Sequence, residues 1–205
     1  MKRSLVILAA GVALIAATAS VALARSDRGA DKQDIVRIFD ADGNSTDGSE
    51  VLGSSKLIRR DDGLKATANV SGLTAGGVYT FWWVAIPDGG VFPDNAFVAS
   101  GGGKVVGSNG KATARMSADS GQASIGGFLI PFQPLDFDLT TAEVHVEIAY
   151  HGQAADIDDV DEALGDFWSG PACPDNGNNP QGPGPGESNP GQPHCPVSIV
   201  AIHAP

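Results

Sequence analysis

All four histidines lie in the last third of the chain, at His145, His151, His194 and His203. Imidazole is the usual zinc and copper ligand, and a site needs three or four converging groups. His145 and His151 have the same parity on one apolar-alternating stretch. At about 3.3 Å per residue they stand roughly 20 Å apart on a regular strand. One ion joins them only if the chain bends at or before Gly152. His203 lies in the closing apolar run and can pair beside either. His145, His151 and His203 are therefore the candidate transition-metal set. His194, within a Pro/Gly-rich stretch, is left out of it.

A second cluster carries oxygen. Asp40, Asp42, Asn44 and Asp47 belong to the run Asp40-Ala41-Asp42-Gly43-Asn44-Ser45-Thr46-Asp47. Calcium takes six to eight hard oxygen ligands, so these four are candidate calcium ligands. As an EF-hand loop the run fails, because Ser45 stands where glycine is needed and Val51 where the closing glutamate is needed. The same residues serve equally as turn formers. Trp82 and Trp83 are adjacent, so they either offer a stacking surface to a sugar or lie on opposite sides of a buried strand.

Nucleophilic catalysis has little support. There is no G-x-S-x-G, P-loop or dinucleotide fingerprint. Serines and aspartates are plentiful enough that chance triads carry no weight. Carboxylate pairs for glycoside hydrolysis cannot be selected by spacing alone in so acidic a chain.

The elements that must position these residues are short strands. Ile35–Phe39 and Ser55–Arg60 read as the first two, and Asp61-Asp62-Gly63 as a hairpin turn. Leu64, Ala66, Ala68 and Val70 alternate with polar residues on a half-buried strand. Val78–Ile86 is apolar on both parities, so it is covered on both faces. A Gly-rich loop over 88–103 surrounds a short apolar piece, Ala96–Ala99. A hairpin at Ser108-Asn109-Gly110 leads to a strand with Ala112, Ala114, Met116 and Ala118 inward. Val144, Val146, Ile148 and Tyr150 alternate against Glu143, His145 and Glu147. Asp158–Phe167 has helical spacing, and Val197–His203 closes the chain. Many short strands with turn signals and one small helix predict an all-β fold, an antiparallel β-sandwich.

Lys2 and Arg3, an uncharged apolar run from Leu5 to Leu23, and Ala22-Leu23-Ala24 predict a signal peptide over 1–24. Residues 25–33 are expected to be a disordered linker, and 34–205 the sandwich domain. The expected setting is secreted or periplasmic, with no membrane span after cleavage. Losing Lys2 and Arg3 takes the net charge from −11 to −13. That balance disfavours nucleic acid and anionic lipid as partners. The expected partner is an extracellular or cell-surface ligand. Cys173 and Cys195 are the two cysteines, and in an exported chain they are expected to form a disulfide. They bracket a flexible Pro/Gly-rich loop, 174–194. Closing a loop of this size contributes roughly 3 kcal/mol in the chain-entropy picture. Asn44-Ser45-Thr46 and Asn69-Val70-Ser71 are glycosylation sequons.

The order of these pieces resembles a group of exported bacterial β-sandwich proteins of unassigned function. The resemblance rests on the strand Tyr79-Thr80-Phe81-Trp82-Trp83-Val84 and on Glu143-Val144-His145. It continues in His151-Gly152-Gln153-Ala154, a Cys-bounded loop and a last strand ending in His203. It implies a fold and draws attention to the same three histidines, but supplies no activity. Two features depart from the pattern. Ile86-Pro87-Asp88 replaces the Asn and Cys that follow the Trp-Trp strand, and the Cys-bounded loop is long. More distantly, the Ser-Gly-Leu turn and the His-bearing strand look like the chordin-type (CHRD) domain. The expectation is a non-catalytic binding or structural module. The alternative is a metal-dependent enzyme using the three histidines, with zinc or copper; calcium is the other candidate ion.

Overall fold

The computed structural model describes residues 30–39, 46–60, 62–90, 95–123, 134–165 and 197–205. Its strands are β1 (Asp31–Arg37), β2 (Val51–Arg60), β3 (Gly63–Val70), β4 (Gly77–Ile86), β5 (Phe97–Val105), β6 (Ala112–Asp119), β7 (Glu143–Gln153) and β8 (Val197–His203). All eight belong to one sheet, in the order β5-β4-β7-β8-β1-β2-β3-β6, and every pairing is antiparallel. The sheet curls into a nearly closed barrel. Its two edges, β5 and β6, are consecutive in sequence and joined by the turn around Asn109-Gly110. The expected antiparallel all-β class holds.

Alternation fixes which face of each strand looks inward. One apolar cluster draws on all eight strands, with Ile35, Leu57, Leu64, Phe81, Trp83, Phe97, Met116, Val146 and Ile199 among its members. Ala112, Ala114, Met116 and Ala118 face it, as their spacing predicts. β4 is buried on both faces. Its outer side packs in two further clusters, Trp82 and Val84 with Ala96 and Val98, and Val78 with Ile157 and Ala163.

Five local expectations need correction. The Asn109-Gly110 turn joins β5 and β6 without pairing them, so the hairpin expected there is a connection between the sheet's two edges. β1 begins at Asp31, inside the segment read as linker, because Asp31, Lys32 and Gln33 pair with Leu57, Lys56 and Ser55. β2 begins at Val51, four residues before the apolar pattern starts. The piece Ala96–Ala99 is not isolated in a Gly-rich loop. β5 runs through Gly101-Gly102-Gly103, and the ladder with β4 shifts register between Phe81 and Trp82. Glycine is required there: Gly102 has φ +82°, and a Cβ on Gly101 would collide with the Trp83 indole. The helix expected over Asp158–Phe167 is a single turn, α1 (Val160–Ala163), preceded by a 3-10 turn at Ala154–Asp156.

Candidate functional site

β7 carries two of the candidate histidines, and its pairing separates them. Val144, Val146 and Ile148 point into the barrel, so His145 points out. Glu143 and Glu147, two residues to either side, share that outer face. Glu143 Oε1 lies 2.6 Å from His145 Nε2, and Glu147 Oε1 lies 3.5 Å from Nδ1. Burial disfavours the charged ring, but the two carboxylates outweigh it and hold the His145 pKa up at about 9. His145 is thus an imidazolium at neutral pH, with a carboxylate facing each ring nitrogen.

His151 follows a break in the β4–β7 register, between the pairs Tyr79↔Tyr150 and Val78↔Gly152. It is fully buried, and its Nε2 lies 2.8 Å from Thr80 Oγ1. Desolvation lowers its pKa to about 4, so this ring is neutral.

His203 closes β8 opposite Val144 and points inward, to the opposite side of the sheet from its neighbour His145. Its Nδ1 lies 2.6 Å from Asp31 Oδ2, and its Nε2 lies 2.8 Å from Ser55 Oγ. A carboxylate only accepts, so Nδ1 carries the proton and Nε2 accepts from the serine hydroxyl. Burial lowers the His203 pKa, with Asp31 opposing and the Arg59 and His145 charges assisting. Arg59 completes the group. Its guanidinium Nη2 donates to the carbonyls of Ala142, His203 and Ala204 at 3.0, 3.2 and 2.9 Å, and its Nη1 lies 3.8 Å from Asp31.

Asp31, His203 and Ser55 reproduce the hydrogen-bond order of a Ser-His-Asp triad. Their setting differs from that of a nucleophile. Ser55 and His203 are both 0% exposed, and the β2 and β1 side chains beside them, Leu57 and Ile35, belong to the apolar core. The cluster joins side chains of β1, β2 and β8. The β1–β8 ladder consists of the pairs Val36↔Val200 and Arg37↔Ile199. Past Arg37 the Ile38 and Phe39 amides both donate to the Ser198 carbonyl, and towards Asp31 the Asp31–His203–Ser55 side-chain bonds link β8 to β1 and β2.

The three candidate metal ligands are therefore not brought together. Among the described residues no group of three or more His, Cys, Asp or Glu side chains could hold an ion. Asp31, Ser55 and Arg59 were missed by sequence reasoning. Asp31 was assigned to a linker, and Ser55 is one of many serines. The only signal was the pairing of β1 with β2 and β8.

Trp82 and Trp83 lie on opposite faces of β4, 3% and 1% exposed, so neither offers a ring to a ligand. Of the calcium candidates, Asp47 is in the described residues. Its Oδ1 accepts from the Ser49 amide at 3.0 Å and the Ser49 hydroxyl at 2.6 Å, closing a local turn and lowering its pKa. Asp40, Asp42 and Asn44 lie outside the described residues. So do Cys173, Cys195, His194, the 174–194 loop and the signal segment. No helix among the described residues is long and apolar enough to cross a membrane.

Comparison with protein-family models, with curated proteins and with solved structures found no match in any of the three.

Proposed function

We propose that this chain is an exported, non-catalytic binding or structural module, as its resemblance to exported bacterial sandwich proteins implies. The observation that carries the reading is the commitment of both ring nitrogens of His145 and of His203 to side chains of the chain itself. His151 and His203 act as fasteners between strands, and His145 is held by two carboxylates of its own strand. In this reading the barrel is flattened, with the half β5-β4-β7-β8 packed over β1-β2-β3-β6 in the manner of a sandwich. A Cys173–Cys195 disulfide closes the long loop at its base.

The test is made on protein recovered from the periplasm or medium. Elemental analysis with native mass spectrometry, before and after EDTA, is expected to give no stoichiometric zinc or copper. A fluorophosphonate probe is expected to leave Ser55 unlabelled, because its hydroxyl has no exposed surface. Zinc or copper retained by the protein and lost in His145→Ala or His203→Ala sinks the reading in favour of a metal enzyme. Labelling of Ser55, abolished by His203→Ala, sinks it in favour of a serine hydrolase.

A further inference from the structure

The outer face of the half β1-β2-β3-β6 has a charge opposite to that of the molecule. The chain carries a net charge of −11, yet Lys32, Lys56, Lys65 and Arg115 all project from this face and are exposed. The ladder registers put them in order. Lys32 stands directly opposite Lys56, Lys56 opposite Thr67, and Thr67 opposite Arg115. One row crossing four strands thus carries three cations. Lys65 stands in the next row, between Ile58 and Ser117.

Like charges placed directly across a strand pair destabilise it. Here none of the four cations has an ion-pair partner among the described residues. Two cations elsewhere in the described residues are paired, Arg37 with Glu50 at 2.7 Å and Arg59 with Asp31 at 3.8 Å. Apart from Ile58 beside Lys65, the positions around the cations are polar. Thr67 stands between Lys56 and Arg115, and the flanking row runs Asp34, Ser54, Asn69 and Thr113, with Thr113 Oγ1 donating to Asn69 Oδ1 at 2.9 Å. At one end of the face lies a depression of about 170 Å³ whose polar lining is Arg60, Asp62, Lys65, Ser117 and Asp119.

We propose that this face binds a carboxylated polysaccharide, a polyuronate chain laid across the strands. The proposal rests on the binding-module reading above and names its ligand class. Neighbouring strands are about 4.8 Å apart, so the row offers cations at one- and two-strand intervals. A polymer with one carboxylate per sugar presents charge at comparable intervals, and its free hydroxyls meet Thr67, Asn69, Thr113 and Ser117. A duplex nucleic acid carries a charge every 1.7 Å or so, far denser than this row. Its single-stranded forms need exposed aromatic rings for stacking, and the aromatic residues of the described strands are buried or packed against the core. An anionic membrane would need apolar side chains to insert between the cations.

The experiment measures binding of polygalacturonate and alginate to the exported protein by calorimetry, with neutral dextran alongside. The variant Lys56→Gln/Lys65→Gln/Arg115→Gln is compared with wild type. These side chains point to solvent, so the fold is retained, as circular dichroism will show. Lys104→Gln, on β5 away from this face, is the control. The expected result is binding to the polyuronates but not to dextran, weakening as salt is raised. The triple variant is expected to bind about tenfold or more weakly, and Lys104→Gln as wild type. Polyuronate binding that is absent, or unchanged in the triple variant, overturns the proposal. Binding of DNA, anionic vesicles or a second copy through these residues, without polyuronate, overturns it too. The polymer's length is followed in the same samples. Shortening by wild type would defeat the non-catalytic reading while leaving the docking face standing.

Discussion

An imidazole between two carboxylates and an imidazole inside an apolar layer respond to pH in opposite senses. His145 has a folded pKa of about 9 against an ordinary value of 6.5. Its contribution is fully present below about pH 6.5 and is lost as pH rises through 9. Unfolding by urea across pH 6 to 9.5 should therefore show an alkaline decline on the order of 2–3 kcal/mol, and His145→Gln should flatten that limb. His151 has a folded pKa of about 4. Its unfolded form takes up a proton first, so its contribution is present above about 6.5 and is lost as pH falls through 4. His151→Gln should flatten the acid limb, and a histidine proton titration should show the His145 ring shifted up and the His151 and His203 rings shifted down. The alternation that put Glu143, His145 and Glu147 on one face was legible in the sequence. The commitment of His203 was not. Its partners are 172 and 148 residues away in sequence, and no local pattern reports such a meeting.

At the scale of elements, the strands legible in advance were β3, β6 and β7, whose alternation faces a single core, and β4 and β8, which read as apolar runs. The glycine run in β5 was read as loop because glycine is depleted in strands. The reason it belongs in one is the Trp83 ring lying against Gly101, a contact that exists only once β4 and β5 pair. Gly101→Ala should therefore cost about 1–3 kcal/mol through overpacking, whereas Gly89→Ala, with open space around its Cβ position, should cost only the strain of its φ of +69°. Thermal unfolding of the two variants compares them directly. Smaller loss in Gly101→Ala than in Gly89→Ala would mean that the indole does not sit where the β4–β5 register places it. Near Ser55 the same logic applies to polarity. Ser55→Ala leaves the buried His203 Nε2 without its donor, at a cost of about 1–3 kcal/mol, with no new cavity large enough to explain the loss.

For the whole molecule, the decisive feature is that the first and last strands lie side by side in the middle of the sheet. A nearly closed barrel whose termini meet internally depends on what holds those two strands. Here their backbone ladder is short, and the Asp31–His203–Ser55 chain with Arg59 extends the closure. Residues 25–33 read as a disordered linker, because composition cannot tell a solvated tail from a strand whose polar side chains bond across the barrel. Truncation separates the two. A chain starting at Ala30 retains every described contact of β1. One starting at Asp34 loses Asp31 and the three ladder pairs of Asp31, Lys32 and Gln33. It also leaves the His203 Nδ1 proton and the Arg59 guanidinium short of a carboxylate. Breaking one partner of a buried hydrogen-bonded group costs about 1–3 kcal/mol before the lost backbone bonds are added. The Asp34 start should therefore lower the urea midpoint substantially, while the Ala30 start leaves it where the longer chain has it. Equal midpoints would mean that the clasp contributes nothing and that the barrel is held by its apolar core alone.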